Sequence, residues 1–202
     1  SIQQRTLELQ ITLTELADKN KLLEQQSTRD ALTGVRNRAF FDQKISAEIK
    51  RSRRERSTLG LLMIDIDHFK SINDNHGHLV GDFVIKEVAN CLQQELKRSS
   101  DHLCRYGGEE FAIILPNTDK EGGMVLAEQV RLCLANQLIH YEELQLSITI
   151  SIGCYAAVAE INSSSADYIQ AADTALYQAK KEGRNRVICS PDSMISEQET
   201  PD

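Results

Sequence analysis

Two adjacent glycines, Gly107 and Gly108, stand between the short apolar runs Leu103-Cys104 and Phe111–Leu115. Because Gly enters the φ > 0 region freely, this pattern predicts the tight turn of a β-hairpin. The other strand-like and helix-like segments of the chain alternate, and a hairpin in their midst argues against an all-parallel, doubly wound sheet. The sequence therefore predicts an α+β fold, in which a mixed, mostly antiparallel sheet is flanked by helices.

Two pairs of acidic residues lie close to predicted strands. Glu109 and Glu110 follow the glycines directly, and Asp65 and Asp67 end the continuous apolar run 59–66, which is typical of a buried strand. Strand side chains alternate, so Asp65 and Asp67 share one face. The acids have two interpretations: solvated turn and capping residues, or ligands of a divalent cation that binds phosphates.

Composition limits the class of protein. A length of 202 residues with 41% hydrophobic residues fits one globular domain with an appendage, and a net charge of −7 argues against nucleic acid as the main partner. No apolar run approaches the roughly 20 residues of a membrane-spanning helix. The five cysteines are scattered, which predicts buried free thiols in a reducing cytoplasm.

The first 28 residues predict a long helix. Four apolar residues recur at every seventh position: Ile2, Leu9, Leu16 and Leu23. With these at d, Asn20 falls at an a position, which favours a parallel two-stranded coiled coil and hence a homodimer. The alternative is a single amphipathic helix packed on the domain. The predicted organisation is a coiled-coil stalk over residues 1–28, a globular domain over 29–190 and a disordered tail over 191–202.

The rest of the pattern predicts further helices and strands around the hairpin. Helices are expected over residues 39–56, 68–73, 80–98, 119–135 and 166–182, and strands over 59–66, 146–158 and 186–189. The chain starts without Met in the middle of a pattern, so we expect a piece of a longer cytoplasmic protein. An upstream sensory domain is expected, and a membrane anchor could lie in a region that is not in this chain.

Several ordered motifs give the chain a family resemblance. They are DALTGVRNR at 30–38, DIDHFK at 65–70, NDNHGHLVGD at 73–82, RYGGEEF at 105–111 and DTALYQAKKEGRN at 173–185. Together they resemble the GGDEF family, the diguanylate cyclases, in its GGEEF form, from about Asp30 to Cys189. The resemblance implies a palm-like fold similar to nucleotidyl cyclases. It also implies condensation of two GTP into cyclic di-GMP and two pyrophosphates across a homodimer.

The resemblance also assigns a metal site. It implies two Mg²⁺, with Mn²⁺ as an alternative, held by Asp65, the backbone carbonyl of Ile66 and Glu109. Glu109 is the expected proton acceptor, with Glu110 beside it. Lys70 is counted with these two glutamates as catalytic, because it adds positive charge where a helix begins. The backbone N–H groups of His68 and Phe69 are expected to face the phosphates.

The same resemblance assigns substrate contacts. Asn73, His78 and Asp82 are expected on the guanine or ribose, and an aspartate that accepts from guanine selects GTP over ATP. Lys180 and Arg184 are expected to reach the β- and γ-phosphates. From the residues alone, the last two could instead complement a helix dipole, and the histidines could flank a helix.

An Arg-x-x-Asp pattern, Arg98 and Asp101, lies just before the hairpin. By resemblance it is an inhibitory site for the product, cyclic di-GMP, because Arg grips phosphate and Asp accepts from guanine. Two other functions stay open. One is a non-catalytic receptor for cyclic di-GMP; the other is an enzyme with an adenine-containing product, against which Asp82 weighs.

Overall fold

The structure, a computed structural model, describes residues 1–191, apart from the side chains of residues 24–26. The predicted tail lies outside the described residues except for Pro191. The helices are α1 (Ile2–Thr28), α2 (Arg38–Glu55), α3 (Phe69–His76), α4 (His78–Glu95), α5 (Lys120–Ala135) and α6 (Ser165–Lys181). The strands are β1 (Thr58–Ile66), β2 (His102–Arg105), β3 (Glu110–Leu115), β4 (Leu138–Tyr141), β5 (Leu144–Ser147), β6 (Ile150–Val158) and β7 (Val187–Cys189).

The main sheet has five strands in the order β2-β3-β1-β6-β7. β1 is central and runs antiparallel to β3 and β6, while β6 and β7 are parallel. β2 and β3 form the predicted hairpin. The prediction of an α+β fold with a mixed, mostly antiparallel sheet between helices is therefore confirmed.

Each face of the sheet is covered by helices, because side chains alternate along each strand. Leu62, Ile64 and Ile66 of β1 belong to the hydrophobic core that includes the inner side of α4 and α5. Leu59, Leu61 and Met63 belong to a second core with α2 and α6. By this alternation Asp65 and Asp67 fall on the α2–α6 face. The sequence predicted that the two share a face but not which one.

One predicted strand is wrong in extent. The segment 146–158 is not continuous, since β5 pairs with β4 in a separate two-stranded sheet and β6 pairs with β1 along its whole length. The β4–β5 hairpin was not predicted because its turn carries no Gly, Asn or Pro. Glu142 takes the left-handed backbone conformation there, with φ 53°. The other elements agree with the prediction to within three residues at each end.

The turn of the β2–β3 hairpin also differs from expectation. Four residues, 106–109, connect the strands, and neither glycine adopts a positive φ. Only Gly107 is placed where a side chain would be too close to its surroundings. A Cβ on Gly107 would lie 2.8 Å from Oε2 of Glu110, whereas a Cβ on Gly108 would meet nothing within 4 Å.

Helix α1 leaves its apolar residues exposed. The fractional exposures of the d-position side chains are 85% for Ile2, 61% for Leu9, 55% for Leu16 and 60% for Leu23. The alternative of an amphipathic helix packed on its own domain is therefore wrong. Among the described residues, no helix combines the length and apolarity that crossing a bilayer requires.

The expectation of free thiols fails for two cysteines. Cys91 of α4 and Cys133 of α5 are joined as a disulfide, with their Cα atoms 6.8 Å apart. They are distant in sequence, but both helices pack on the same face of the sheet, which brings the two side chains together. Cys104 and Cys154 are buried thiols, and burial raises the pKa of Cys104 to about 12.

Candidate functional site

The two predicted acidic clusters meet where β1 ends and β3 begins. Asp65 is the register partner of Glu110, and the backbone N–H of Ile66 donates to the carbonyl of Glu109 over 3.3 Å. Asp65 is only 6% exposed. Antiparallel pairing of the strands therefore brings three carboxylates from two segments, Asp65, Glu109 and Glu110, to one end of the sheet.

The electrostatics of this cluster favour a bound cation. Burial, together with the negative charges of Glu109 and Asp67, raises the pKa of Asp65 although Lys180 lowers it. Burial likewise raises the pKa of Glu110, with further contributions from Asp65, Asp173 and Glu109. Like charges that raise one another's pKa are stabilised by a cation between them.

The donor set fits magnesium. All its candidate ligands are oxygens, and Mg²⁺ usually takes one or two carboxylates and completes its shell with water and phosphate oxygens. Over residues 1–191, no group of three or more His, Cys, Asp or Glu side chains is arranged around a common ion position. An ion bound at Asp65 would need water or phosphate oxygens to complete its shell.

The predicted phosphate residues lie beside this cluster. The ammonium of Lys180, near the end of α6, donates to Oδ2 of Asp65. Arg184 is exposed in the turn that follows α6, where its φ is 66°. The structure thus places Lys180 on the acidic cluster itself and Arg184 at the surface next to it.

Asp67 has a different environment from Asp65. Its carboxylate accepts hydrogen bonds from Oγ1 of Thr149 at 2.7 Å, Oγ of Ser151 at 2.6 Å and the backbone N–H of Asn185 at 3.0 Å. It does not cap α3, whose N-cap residue His68 makes no side-chain capping hydrogen bond. Through the hydrogen bond from Asn185, Asp67 instead links the turn that carries Arg184 to the end of β1.

The residues predicted to contact the base lie at the junction of α3 and α4. Oδ1 of Asn73 is buried and has no hydrogen-bond partner. Asn73 faces Gly81, where a Cβ would lie 1.9 Å from that oxygen. His78 and Asp82 are exposed on the first turn of α4, on either side of Gly81. A buried acceptor without a partner beside an exposed carboxylate is an arrangement that a polar ligand can satisfy.

The turn between β1 and α3 carries the remaining predicted contacts. His68 is exposed and left-handed, with φ 56°, and Phe69 begins α3 as a half-buried side chain. Lys70 is exposed in the first turn of that helix. Both the N–H groups of this turn and the Lys70 charge therefore lie directly after the acidic end of β1.

Arg98 and Asp101 form a pair at the opposite end of the sheet. Nε of Arg98 donates to Asp101 at 3.0 Å, and Nη2 donates to the carbonyl of Pro116 at 3.0 Å. The pair lines a cavity of about 690 Å³ together with Arg56, Lys97 and Thr58. Thr58 begins β1, so the cavity is separated from Asp65 by seven residues of strand, or about 23 Å.

A family model described as "Diguanylate cyclase, GGDEF domain" matches residues 27–186. The chain belongs to the GGDEF family. Among its GGDEF relatives, the diguanylate cyclase DgcP of Pseudomonas aeruginosa is 42% identical over 163 residues, covering 81% of this chain and 24% of DgcP. Diguanylate cyclase A of Treponema denticola is 36% identical over 186 residues, covering 91% of this chain and 50% of the relative.

A solved GGDEF structure also superimposes on the chain. It is the coiled coil and GGDEF domain of DgcB from Caulobacter crescentus in complex with c-di-GMP, with a TM-score of 0.87 and 29% identity. The match covers 94% of this chain and 99% of that one. The chain spans only a quarter to a half of the two curated GGDEF relatives named above.

Some residues around the GGDEF signature loop were not assigned a role from the sequence. Asp173 of α6 acts electrostatically on Glu110, and Arg105 donates to the carbonyls of Gly107 and Gly108. Asp30 accepts from Arg105 across 75 positions of sequence. Local sequence spacing does not reveal such contacts, although Asp30 and Arg105 both lie in motifs that resemble the family.

Proposed function

We propose that this chain is a diguanylate cyclase that condenses two GTP into cyclic di-GMP and two pyrophosphates. The observation that carries the proposal is the register pairing of Asp65 with Glu110, which joins the acidic strand end to the GGEEF loop. Family membership and the curated relatives support the same activity. The substrate, GTP, is a cytoplasmic nucleotide, so the proposal assigns this domain to the cytoplasm.

In this proposal Asn73, His78 and Asp82 recognise the guanosine. The carboxylate of Asp82 accepts from the N1–H and N2–H₂ donors of guanine, a pair that adenine lacks. The buried Oδ1 of Asn73 gains a partner when the base binds. Leaving such a group without a partner is costly, which gives discrimination against ATP.

The triphosphate lies over the turn after β1. The backbone N–H groups of His68 and Phe69 donate to it, and Lys70, Lys180 and Arg184 neutralise its charge. Asp65, the carbonyl of Ile66 and Glu109 would hold Mg²⁺, two ions per site, with Mn²⁺ as a substitute. The bound ions supply charge neutralisation and polarise the phosphate oxygens.

Bond formation joins the 3′-oxygen of one GTP to the α-phosphorus of the other, and the bond from that phosphorus to the pyrophosphate oxygen breaks. The Glu109 carboxylate accepts the proton of the 3′-hydroxyl, and Glu110 adds negative charge beside it. The second bond forms in the same way with the roles of the nucleotides exchanged. Most of the rate then comes from positioning and electrostatic stabilisation.

One domain holds one GTP, so two copies must face each other. The exposed heptad residues of α1 support a parallel coiled coil that holds two chains together and raises the effective concentration of their domains. Product would bind at Arg98 and Asp101 and inhibit the enzyme. Their cavity, on the α5 side of the sheet and far from Asp65, leaves room for a site apart from catalysis.

The alternative is a receptor that binds cyclic di-GMP without catalysis. The Arg98–Asp101 cavity would serve a receptor equally well. The acidic cluster with Lys180 favours the cyclase, because a receptor has no use for a site that binds a metal and a triphosphate.

Incubation with GTP and Mg²⁺ and identification of the product separate the two functions. Glu109→Ala should lower kcat about a hundredfold or more, since it removes the proton acceptor. Glu160→Ala, an exposed acid outside the site, should leave kcat unchanged. Absence of cyclic di-GMP from the unmodified chain at high protein concentration would contradict the proposal and favour the receptor.

Leu16→Lys tests assembly. A charge at a d position should dissociate the coiled coil, so that the rate per chain falls at low protein concentration and recovers at high concentration. Thr14→Lys, on the outer side of the heptad, is the matched control. Sedimentation of both variants at the assay concentrations shows whether the loss of rate follows the loss of dimer.

A further inference from the structure

An ion pair joins the segment between α1 and α2 to Arg105, the residue that precedes the signature loop (residues 106–109). Asp30 accepts from Nη1 of Arg105 at 3.2 and 3.3 Å, and both side chains are less than 20% exposed. The same carboxylate accepts from the backbone N–H of Thr33 at 2.9 Å and from its hydroxyl at 2.7 Å. Although burial opposes ionisation, the hydrogen bonds from Thr33 and Arg105 lower the pKa of Asp30.

The other nitrogens of Arg105 hold the backbone of the loop. Nε donates to the carbonyl of Gly107 at 3.2 Å and to that of Gly108 at 3.1 Å, and Nη2 donates to Gly108 at 2.9 Å. The carbonyl of Gly108 belongs to the peptide bond that it shares with Glu109. The guanidinium therefore fixes the peptide from which the Glu109 side chain departs.

The loop is also held at its first residue, Tyr106, whose carbonyl accepts from Nη1 of Arg38 at 3.4 Å and whose ring lies 3.7 Å from the Arg38 guanidinium. It is not a tight two-residue turn, and the N–H groups of Tyr106 and Gly107 both donate to the carbonyl of Glu110. Because glycine has no Cβ, neither Gly107 nor Gly108 by itself restricts the backbone to one conformation. The hydrogen bonds from Arg105 are the side-chain contacts that restrain the carbonyls of these two glycines.

The end of α1 is attached to the same framework. The backbone N–H of Asn37 donates to the carbonyl of Thr28 at 2.9 Å, and Nη1 of Arg36 donates to Oγ1 of Thr28 at 3.0 Å. The N–H of Arg105 then donates to the carbonyl of Arg36 at 2.8 Å. A continuous set of hydrogen bonds thus joins the last turn of the stalk to Arg105.

We infer that Asp30 and Arg105 are positioning residues, through which the junction after α1 sets the placement of Glu109 for the reaction. This inference rests on the proposed cyclase function. In this inference the junction contributes to the rate of the reaction. A change in the angle at which α1 leaves the domain would reach Glu109 through the Asp30–Arg105 pair.

The test uses Asp30→Asn, Arg105→Lys and the double variant. Lys keeps the charge of Arg105 but lacks the planar fork that reaches several acceptors at once. Because misplacement of a reacting group by about 1 Å can cost two orders of magnitude, each single variant should lose about tenfold or more in kcat. KM for GTP should change much less than kcat, since the contacts of Asn73, His78 and Asp82 to the base and of Lys180 and Arg184 to the phosphates are untouched.

The double variant should be hardly worse than the worse single one, because both residues act through one contact. Amide hydrogen exchange at Glu109 and Glu110 should speed up in each variant, while exchange in β1 and β6 stays slow. Glu55→Gln, which removes an exposed ion pair with Arg51 on α2, is the control and should keep both kcat and exchange. Sedimentation checks that every variant remains a dimer under the assay conditions.

Unchanged kcat in either single variant, or independent and multiplicative losses in the double variant, would overturn the inference. A fall in kcat without faster exchange at Glu109 would do so as well. If Asp30→Asn does not fold, Arg105→Lys decides the question alone. Should the unmodified chain and Glu55→Gln both make no cyclic di-GMP, the proposed function fails, and exchange at Glu109 still reports whether the pair holds the loop.

Discussion

Lys180 donates a hydrogen bond to Asp65, so a residue proposed for the phosphates and a residue proposed for the metal contact each other directly. The Asp65 side chain is 8% exposed and that of Lys180 is 34% exposed, so solvent screens their interaction only in part. A divalent ion at Asp65 has to compete with this ammonium for a carboxylate oxygen. A triphosphate offers Lys180 other oxygens, which links metal binding to nucleotide binding.

Lys180→Met should separate these two effects. With no ammonium on Asp65, the chain should bind Mn²⁺ without nucleotide more tightly, by about threefold to tenfold for a partly exposed pair. KM for GTP should rise, because a phosphate contact is lost. Calorimetry with Mn²⁺ alone and steady-state kinetics measure the two quantities.

Lys181→Met, one residue further along and exposed, is the matched control. It should alter neither quantity by a comparable amount. If Lys180→Met weakened Mn²⁺ binding, the two residues would not be competing in the way described here.

Gly81→Ala should impair substrate binding without harming the fold. The new Cβ would lie 1.9 Å from Oδ1 of Asn73, so the amide must move away from its present place. Helix propensity favours Ala over Gly by up to about 1 kcal/mol, so the melting temperature should not fall much. KM for GTP should rise, and Asn90→Ala, an exposed change on the same helix, should leave it unaltered.

Glu110→Gln should stabilise the chain in a buffer that contains EDTA. The pKa of Glu110 is raised in the folded chain, mainly by burial and then by its acidic neighbours. The folded state therefore holds this proton more tightly than the unfolded chain, in which the pKa is near 4.5. Ionisation above the raised value costs folding free energy, and the amide avoids that cost.

The expected result is a higher melting temperature for Glu110→Gln at pH 7 to 8. The difference should shrink as the pH falls through the raised pKa, and it should vanish below about 4.5, where the carboxyl is neutral in both states. A difference that stayed constant from pH 4 to pH 8 would show that the charge of Glu110 is not its cause.

Asp67→Asn should destabilise the chain. The carboxylate of Asp67 accepts three hydrogen bonds while buried, and an amide nitrogen cannot accept, so the loss should be about 1–3 kcal/mol. Urea unfolding measures this, with Asp74→Asn, exposed on α3, as the control. KM for GTP should also rise, because the turn that carries Arg184 loses its attachment.

Features that depend on residues close together in the sequence could be predicted, whereas features that depend on residues far apart could not. Apolar patterning located β1 and the helices, and two adjacent glycines marked the β2–β3 hairpin, although their φ values are not left-handed. The β4–β5 turn was missed because Glu142 adopts a positive φ, although glutamate is not a residue type that usually indicates a turn. Local propensity is overridden there by the pairing of the two strands.

The same distinction applies to the candidate site. Motifs located Asp65, Glu109 and Asn73, and strand alternation explained why Asp65 and Asp67 share a face. Their separate roles could not be read from alternation, because they depend on Lys180 and on Asn185, which lie more than a hundred positions away. The contact between Asp30 and Arg105 spans 75 positions and has no periodic signature.

The pairing of Asp65 with Glu110 has a consequence for how this sheet can vary. If β3 slipped by one residue against β1, Glu110 would turn toward the α4–α5 core and leave its charge among apolar side chains. Both enzymatic turnover and folding stability would be lost, even though every residue proposed to bind the metal or the substrate was still present. Natural insertions and deletions should therefore be scarce between residues 105 and 110 and far more frequent around the β4–β5 turn, whose strands pair only with each other.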